Sequence, residues 1–548
     1  MKNYKKVYAA FILAGGLILH GCNGIFDDLA INPNQPSMGA YFTSPSAVND
    51  AVMTMYGYMS TQRCLGASGS KTTIIRSDEA SSNSDYGKPG MFGADLNASY
   101  YTIEQPYTLM YTTASQASYI IETAPSVDFS GNEELRNAYM GEAYFWRAFA
   151  HYYLLINFRN ISPIRQMPRN GDDYVRPLEK PAAVWNFIQE DLAHAKELLP
   201  VKGYWDSKNA GRVTKASAAA LLGKAYLYRS GIEQYYGEDK TTFYSEAAKE
   251  FGDVIDGKYG TYDLTKNYAD NFDVAHENNE ESILEFQFLG DVDNAGFNPG
   301  LATSGLAFDS RGLMLPGAGV GYEGVVHNWL YNAFVNSVDK DGYTDIRMFS
   351  TMIFNDLDAS IHLRNDAGGN PVRLEGPGGY KWEELYPAKN GKEGFATVSN
   401  PLAHSFKAGI RKGIDCSMPT QTEADGTPKL VGVGAGVKEY VYNQPRAHGV
   451  NWRYIRYADV LMMYAEAIVS GGTQASNMTP LQAVNKVRGR VNMSELPSVT
   501  MTDIQNERIL EFALEGHRFY DLLRWGKLAS RFTAVSYTHL RAHETRGN

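Results

Sequence analysis

Apolar residues recur along this chain at helical spacing in three separated blocks, and those blocks set the expected architecture. From Ala138 to Ile156 one face carries Phe145, Phe149, Tyr152 and Ile156, and a second carries Ala143, Trp146, Ala150 and Tyr153. A helix that is apolar over most of its circumference is a buried one. The block Ala216 to Tyr228 is dense in small residues (Ala216, Ala218, Ala219, Ala220, Gly223, Ala225), which lets a second helix approach closely. The third block, Ile455 to Ile468, sets Ala458, Leu461, Ala465 and Ile468 at helical spacing and continues into the region around Ala483. Against this background Ser282 to Phe288 alternates apolar and polar residues, which predicts a half-buried strand.

The helical blocks resemble diverged helix-pair repeats of the tetratricopeptide type, whose pattern runs Leu-Gly-x2-Tyr and then Ala-x3-Phe. Leu222-Gly223-x2-Tyr226 with Ala247-x3-Phe251 is one copy, Met140-Gly141-x2-Tyr144 with Ala183-x3-Phe187 a second, and Tyr464 with Ala483-x3-Val487 a looser third. The halves lie farther apart than a repeat of about 34 residues allows, so each pair is expected to carry an insertion between its helices. Between the helical blocks, Gly290 to Gly324 is rich in Gly, Ser, Asn and Asp, and Phe354 to Tyr442 mixes Gly, Pro and charged residues. Such loops on a rigid scaffold are the usual carriers of binding function.

The amino terminus reads as a targeting segment rather than a fold element. Lys2, Lys5 and Lys6 precede a 13-residue apolar run, Val7 to Leu19, that stops at His20-Gly21-Cys22. That run is short of the roughly 20 residues a membrane-spanning helix needs. Cleavage before Cys22 and lipidation of its thiol are expected, and no second apolar stretch of the sequence approaches spanning length, so acyl chains would be the anchor. Cys64 and Cys416 show neither CxxC nor Cys/His spacing, so no zinc site and no disulfide scaffold is indicated. The formal charge of −10 becomes more negative once the three leader lysines are removed, which argues against nucleic acid as a partner. Tyr (37) outnumbers Phe (24), giving many rings a polar handle suited to half-wet, ligand-facing positions.

Four segments, in order, resemble proteins of the RagB/SusD family. They are Gly211-Arg212-Val213-Thr214-Lys215-Ala216; Asn278-Asn279-Glu280-Glu281-Ser282-Ile283; Tyr454-Ile455-Arg456-Tyr457-Ala458-Asp459-Val460 with Tyr464-Ala465-Glu466-Ala467 and Asn485-x2-Arg488-x-Arg490; and Glu507-Arg508 followed by Glu515-Gly516-His517-Arg518-Phe519-Tyr520-Asp521-Leu522-x-Arg524-Trp525-Gly526. The resemblance implies a mostly α-helical scaffold of four tetratricopeptide-like pairs, with long loops and short strands forming a ligand face. It also implies a lipid anchor at the outer membrane, a surface-exposed location signalled by Asp27 and Asp28, and a TonB-dependent partner of the SusC type. The ligand is usually a glycan, and in some relatives a peptide. The expected organisation is a lipoprotein signal peptide at 1–21, an N-terminal part with the first helix pairs at 22–230, a C-terminal part at 231–532, and a polar non-native tail at 533–548 in place of the family's usual terminus.

Candidate chemistry points away from catalysis. Glu515 with Arg518 and Asp521 with Arg524 are opposite charges three apart on one expected helix, a structural device. Asp459 and Glu466, seven apart on one helix face, would be an atypical glycosidase pair, and Arg456, Arg488 and Arg490 offer structural partners. Gly319-x-Gly321-x-x-Gly324 lacks the preceding strand of a dinucleotide site and the helix with an acidic residue at the right distance after it. Asp339-x-Asp341-Gly342 resembles part of a calcium loop, but Met348 stands where the bidentate acid belongs. There is no HExxH and no GxSxG, so no catalytic residue, metal or cofactor is assigned.

A sugar platform needs flat rings for the apolar sugar faces and polar groups for the hydroxyls. Two loop regions qualify. One is Arg76-Ser77-Asp78-Glu79 with Asn83, Asp85, Tyr86 and Phe92, followed by Tyr100, Tyr101 and Tyr107; the other is the glycine-rich loop with Phe308 and Tyr322. In the resemblance Asp78 occupies the place of an Asp-containing loop near the ligand face. Trp329 and Phe334 read instead as the buried face of a short helix. The expected ligand residues are therefore Asp78, Asn83, Tyr86, Phe92, Tyr101, Phe308 and Tyr322. The expected function is capture of oligosaccharides and their delivery to the transporter, with a peptide-binding relative or a secreted glycoside hydrolase as the alternatives.

Overall fold

The computed structural model describes residues 42–61, 64–66, 71–82, 98–167, 175–288, 324–376, 381–397, 405–413, 430–432, 438–440 and 450–532. Its body is a succession of packed helices: α1 (Pro45–Ser60), α2 (Tyr101–Thr123), α3 (Glu133–Phe158), α4 (Pro181–Leu198), α5 (Lys215–Tyr236) and α6 (Tyr244–Ile255). Their starts follow from local chemistry. Ser44 accepts the Ala47 N–H at 3.3 Å ahead of Pro45, Asn132 accepts the Leu135 N–H at 3.1 Å, and Pro181 sits in the first turn of α4, where its missing N–H costs nothing. Each helix packs on the next through α6. The chain then leaves the array at Ile255 and returns as α10 (Tyr457–Val469), which packs directly on α6 and then on α11 (Pro480–Arg490).

The array thus contains four pairs, α1–α2, α3–α4, α5–α6 and α10–α11, and the last three coincide with the three motif copies. Both expected faces of α3 are buried, from Ala143 through Ile156. At Gly223 a Cβ would come within 2.7 Å of the Phe251 ring, so the Gly of one motif half sits against the Phe of the other. The expected insertions need correction. Only residues 237–243 separate α5 from α6 and only 470–479 separate α10 from α11; a long connection, 159–180, occurs between α3 and α4. Residues 230 and 231, expected to divide two parts, both lie within α5, and the packed array runs across that boundary.

The excursion between α6 and α10 carries the strands and short helices, with β1 (Ala80–Ser82) joining from the N-terminal part. These are β2 (Ser282–Phe286), β3 (Gly324–Val326), α7 (Asn328–Val335), α8 (Arg347–Thr351), β4 (Met352–Phe354), α9 (Trp382–Leu385), β5 (Ala408–Ile410), β6 (Leu430–Gly432), β7 (Lys438–Tyr440) and β8 (Trp452–Arg456). One sheet has the order β1-β3-β5-β4, with every pairing antiparallel, and two-stranded sheets are formed by β2 with β8 and by β6 with β7. β2 departs from the half-buried expectation. Glu285 on its polar face is buried because β8 sets Arg453 opposite it, Nε to Oε2 at 3.3 Å, and Asn451 donates to its other oxygen at 2.8 Å. Two further helices, α12 (Met501–Glu511) and α13 (Arg518–Arg524), close the array; α12 packs on α10 and α11, and α13 packs on α5. Among the described residues no helix is long and apolar enough to cross a membrane.

Candidate functional site

The two loop regions nominated by sequence meet at one point of the four-stranded sheet. Ser82, after which residues 83–97 follow, is the register partner of Gly324, which ends residues 289–323. Antiparallel pairing therefore brings the base of one aromatic-bearing segment beside the base of the other. Asn83, Tyr86, Phe92, Phe308, Gly319, Gly321 and Tyr322 lie within those two segments and so outside the described residues; Cys22 and Cys416, elsewhere in the chain, are also outside them. Tyr101 is the first residue of α2. Tyr100 is half-buried, and Tyr107 is exposed with its ring 4.9 Å from Tyr111 and 5.0 Å from Phe158.

Asp78 is not on the open face where it was expected. Its side chain is fully buried, and both carboxylate oxygens are taken by arginines: Arg518 Nε donates to Oδ1 at 2.9 Å and Nη2 to Oδ2 at 3.2 Å, and Arg531 Nε also donates to Oδ2. Its backbone carbonyl accepts the Trp329 indole N–H and lies 2.9 Å from His327 Nδ1. A carboxylate so engaged, with its side chain wholly buried, is out of reach of a sugar hydroxyl, so its place is in the support of the strand base. Arg76 is also committed, to Asn157 Oδ1 at 2.7 Å and to the Phe519 ring at 3.7 Å. Phe334 is buried as expected, whereas Trp329 is half-buried under the guanidinium groups of Arg518 and Arg531.

Glu79 completes this hub. One oxygen accepts the Leu514 N–H at 3.0 Å and the other accepts from Ser77 Oγ at 3.1 Å, while the Glu79 carbonyl accepts the His327 N–H at 2.8 Å. Burial pushes its carboxyl up to about 7; the Leu514 N–H opposes the rise, Asp78 adds to it and Arg518 offsets part of it. The segment Ser77–Glu79 thus ties the start of β1 to α7 and to α13. Sequence reasoning missed Arg531 and His327 here because nothing local marks either as a partner of Asp78.

The charged cluster of the third and fourth segments is a closed ionic network. Arg456 donates to Glu281 at 2.7 Å, Glu511 at 2.6 Å and Glu515 at 2.9 Å, and Arg347 donates to Asp345 at 2.7 Å, Glu507 at 2.6 Å and Glu511 at 2.9 Å. Asp459 is held by Arg508 at 2.8 Å and Lys224 at 3.3 Å, and Glu466 by Arg524. Burial raises the Glu511 and Asp459 carboxyls, but Arg490, Arg456 and Arg347 around the first, and Lys224 and Arg508 around the second, more than offset it and leave both ionised far below the usual range. A glycosidase acid must be accessible and protonated at working pH, and Asp459 is neither. Asp521 and Arg524 form the expected helical pair at 2.8 Å. Glu515 and Arg518 do not, since Glu515 precedes α13 and turns to Arg456 and Lys412.

The Asp339–Gly342 segment is a turn: Asp339 Oδ1 accepts the N–H groups of Asp341 and Tyr343 at 2.9 and 3.0 Å, and Arg364 pairs with Oδ2. Among the described residues no group of three or more His, Cys, Asp or Glu could hold a metal ion.

Comparison with known proteins settles the lineage. A family model described as the SusD family matches residues 421–547, and another described as starch-binding associating with outer membrane matches residues 31–227, together more than half of the chain. The chain belongs to the SusD/RagB family. The first match takes in residues 533–547, most of the tail read from sequence as non-native. A SusD-like protein from Bacteroides ovatus is 25% identical over 533 residues, 96% of this chain and 83% of that one. Among solved structures, a SusD superfamily protein from Bacteroides vulgatus has a TM-score of 0.64 at 22% identity over 90% of this chain and 91% of its own. A laminarin-binding SusD-like protein has a TM-score of 0.63 at 22% identity, covering 90% of this chain and 94% of its own. The SusD-type fold is mostly helical in this chain, as expected.

Proposed function

We propose that this SusD/RagB-family chain is a non-enzymatic, cell-surface glycan-binding lipoprotein, anchored through Cys22, that captures oligosaccharides and delivers them to a SusC-like TonB-dependent transporter. The observation that supports this reading is the Ser82–Gly324 pairing, which sets side by side the strand ends that border, in sequence, the two aromatic-bearing segments. Asn83, Tyr86, Phe92 and Tyr101 from one segment and Phe308 and Tyr322 from the other supply the rings and amide a sugar platform requires. Asp78 acts as a support of the strand base through Arg518 and Arg531. The laminarin-binding relative favours a glycan over a peptide, and the closure of every described carboxylate pair considered as an acid and base favours binding over hydrolysis.

Incubating purified protein with a glycan panel tests this directly. Retention of an oligosaccharide without new reducing ends is expected; product formation would make it a hydrolase, and retention of peptides alone would move it to the other ligand class. The anchor is tested by Cys22→Ser, which should shift the protein from the membrane to the soluble fraction; unchanged membrane recovery would point to another anchor.

A further inference from the structure

We propose that an internal cavity between α3, α5, β8 and the start of α13 is a binding site for an ordered water molecule that bridges Tyr152, Tyr228 and Lys224. The cavity has about 10 Å³ of space for the centre of a water molecule, and these three residues line it together with Tyr454, Gly516 and His517. That is roughly the room one water needs, provided two to four polar groups face it. Tyr152 Oη and His517 Nε2 are buried without a hydrogen-bond partner in the protein, and Tyr228 Oη, also buried, has only the Arg524 guanidinium beside it.

Lys224 supplies the remaining polarity. Its ammonium is buried and carries three N–H groups, of which one reaches Asp459 Oδ2 at 3.3 Å and one reaches His517 Nδ1 at 3.4 Å. Nδ1 is therefore the accepting nitrogen and the His517 proton sits on Nε2, consistent with burial holding this imidazole well below its ordinary pKa and so neutral. The third Lys224 N–H and the two tyrosine hydroxyls need a partner that both donates and accepts. Water does both. A cation is disfavoured by the ammonium, and a sugar or carboxylate ligand is too large for the space. The occupant would join the array helices α3 and α5 to the Gly516–His517 turn of the fourth family segment, where otherwise several buried polar groups would be left without partners.

A high-resolution crystal structure of the full protein should show water density within hydrogen-bond distance of Tyr152 Oη, Tyr228 Oη or Lys224 Nζ; an unoccupied cavity would overturn the proposal. Tyr152→Phe and Tyr228→Phe give an independent reading with little risk to folding. If a water bridges the hydroxyls, Tyr152→Phe lowers the melting temperature, since a satisfied hydrogen bond is lost, and Tyr228→Phe, which also gives up its contact with Arg524, lowers it further. If the Tyr152 hydroxyl is unpaired, its removal relieves a desolvation cost and the melting temperature stays the same or rises, which would also overturn it.

Discussion

Asp78 and Arg518, 440 residues apart in sequence, are joined by two N–H···O bonds of 2.9 and 3.2 Å in the protein interior. Asp78 lies two residues before β1 and Arg518 opens α13, so the pair fastens the base of one proposed ligand loop to the C-terminal helices. Trp329, at the start of α7, donates its indole N–H to the Asp78 carbonyl, which extends the same anchorage to the element that follows β3. The loops therefore leave from a base fixed on both sides, an arrangement suited to preorganised binding.

Removing the anchor should be costly. Asp78→Ala leaves the buried Arg518 without its hydrogen-bonded counter-charge, and breaking a buried pair from one side typically costs about 3–5 kcal/mol. Denaturant unfolding should show a loss of that order, and replacing Arg518 by Met in the same chain should restore part of it. A loss below about 1 kcal/mol would mean the pair is not formed as described.

Glu79 should make stability depend on pH in the opposite sense from an ion-paired acid. Its folded-state pKa is raised to about 7 by burial, against an unfolded value near 4.3, so the folded protein holds the extra proton. The contribution is fully present below the unfolded pKa and is lost as pH rises through about 7. Glu79→Gln keeps an acceptor for the Leu514 N–H and offers an N–H donor to Ser77 Oγ, whose own proton can go to the Ile74 carbonyl, while removing the charge. It should be more stable than wild type at pH 8, by a few kcal/mol at most, and show a flatter profile between about pH 4.5 and 7. Identical pH profiles for the two proteins would remove Glu79 as the titrating group.

How far the sequence discloses this arrangement depends on the range of each interaction. The faces of α3 are legible because burial repeats with the helical turn, and the Gly223–Phe251 contact is legible because both residues belong to one repeat motif. The Asp521–Arg524 pair is legible for the same local reason. Glu515 and Arg518 share that spacing yet do not pair. Leu514 and Gly516 take positive φ angles of 61° and 86°, so the backbone turns before α13 begins and sends the two side chains to different partners. Asp78 was misplaced because a polar, aromatic-rich stretch looks like an open loop, while the two arginines that bury it lie at the far end of the chain. Glu285 is misjudged similarly, since its strand alternates correctly and only the facing strand reveals Arg453.

The most direct test of the binding face is calorimetric titration of the wild type, Tyr86→Ala and Tyr322→Ala with the oligosaccharide selected from the panel, alongside their melting temperatures. Tyr86 follows Ser82 in the sequence and Tyr322 precedes its register partner Gly324. If both stack on the ligand, each variant should lose about 1 kcal/mol or more, roughly fivefold in affinity, with the melting temperature unchanged. Wild-type affinity in both variants would contradict the account and place the ligand elsewhere on the protein.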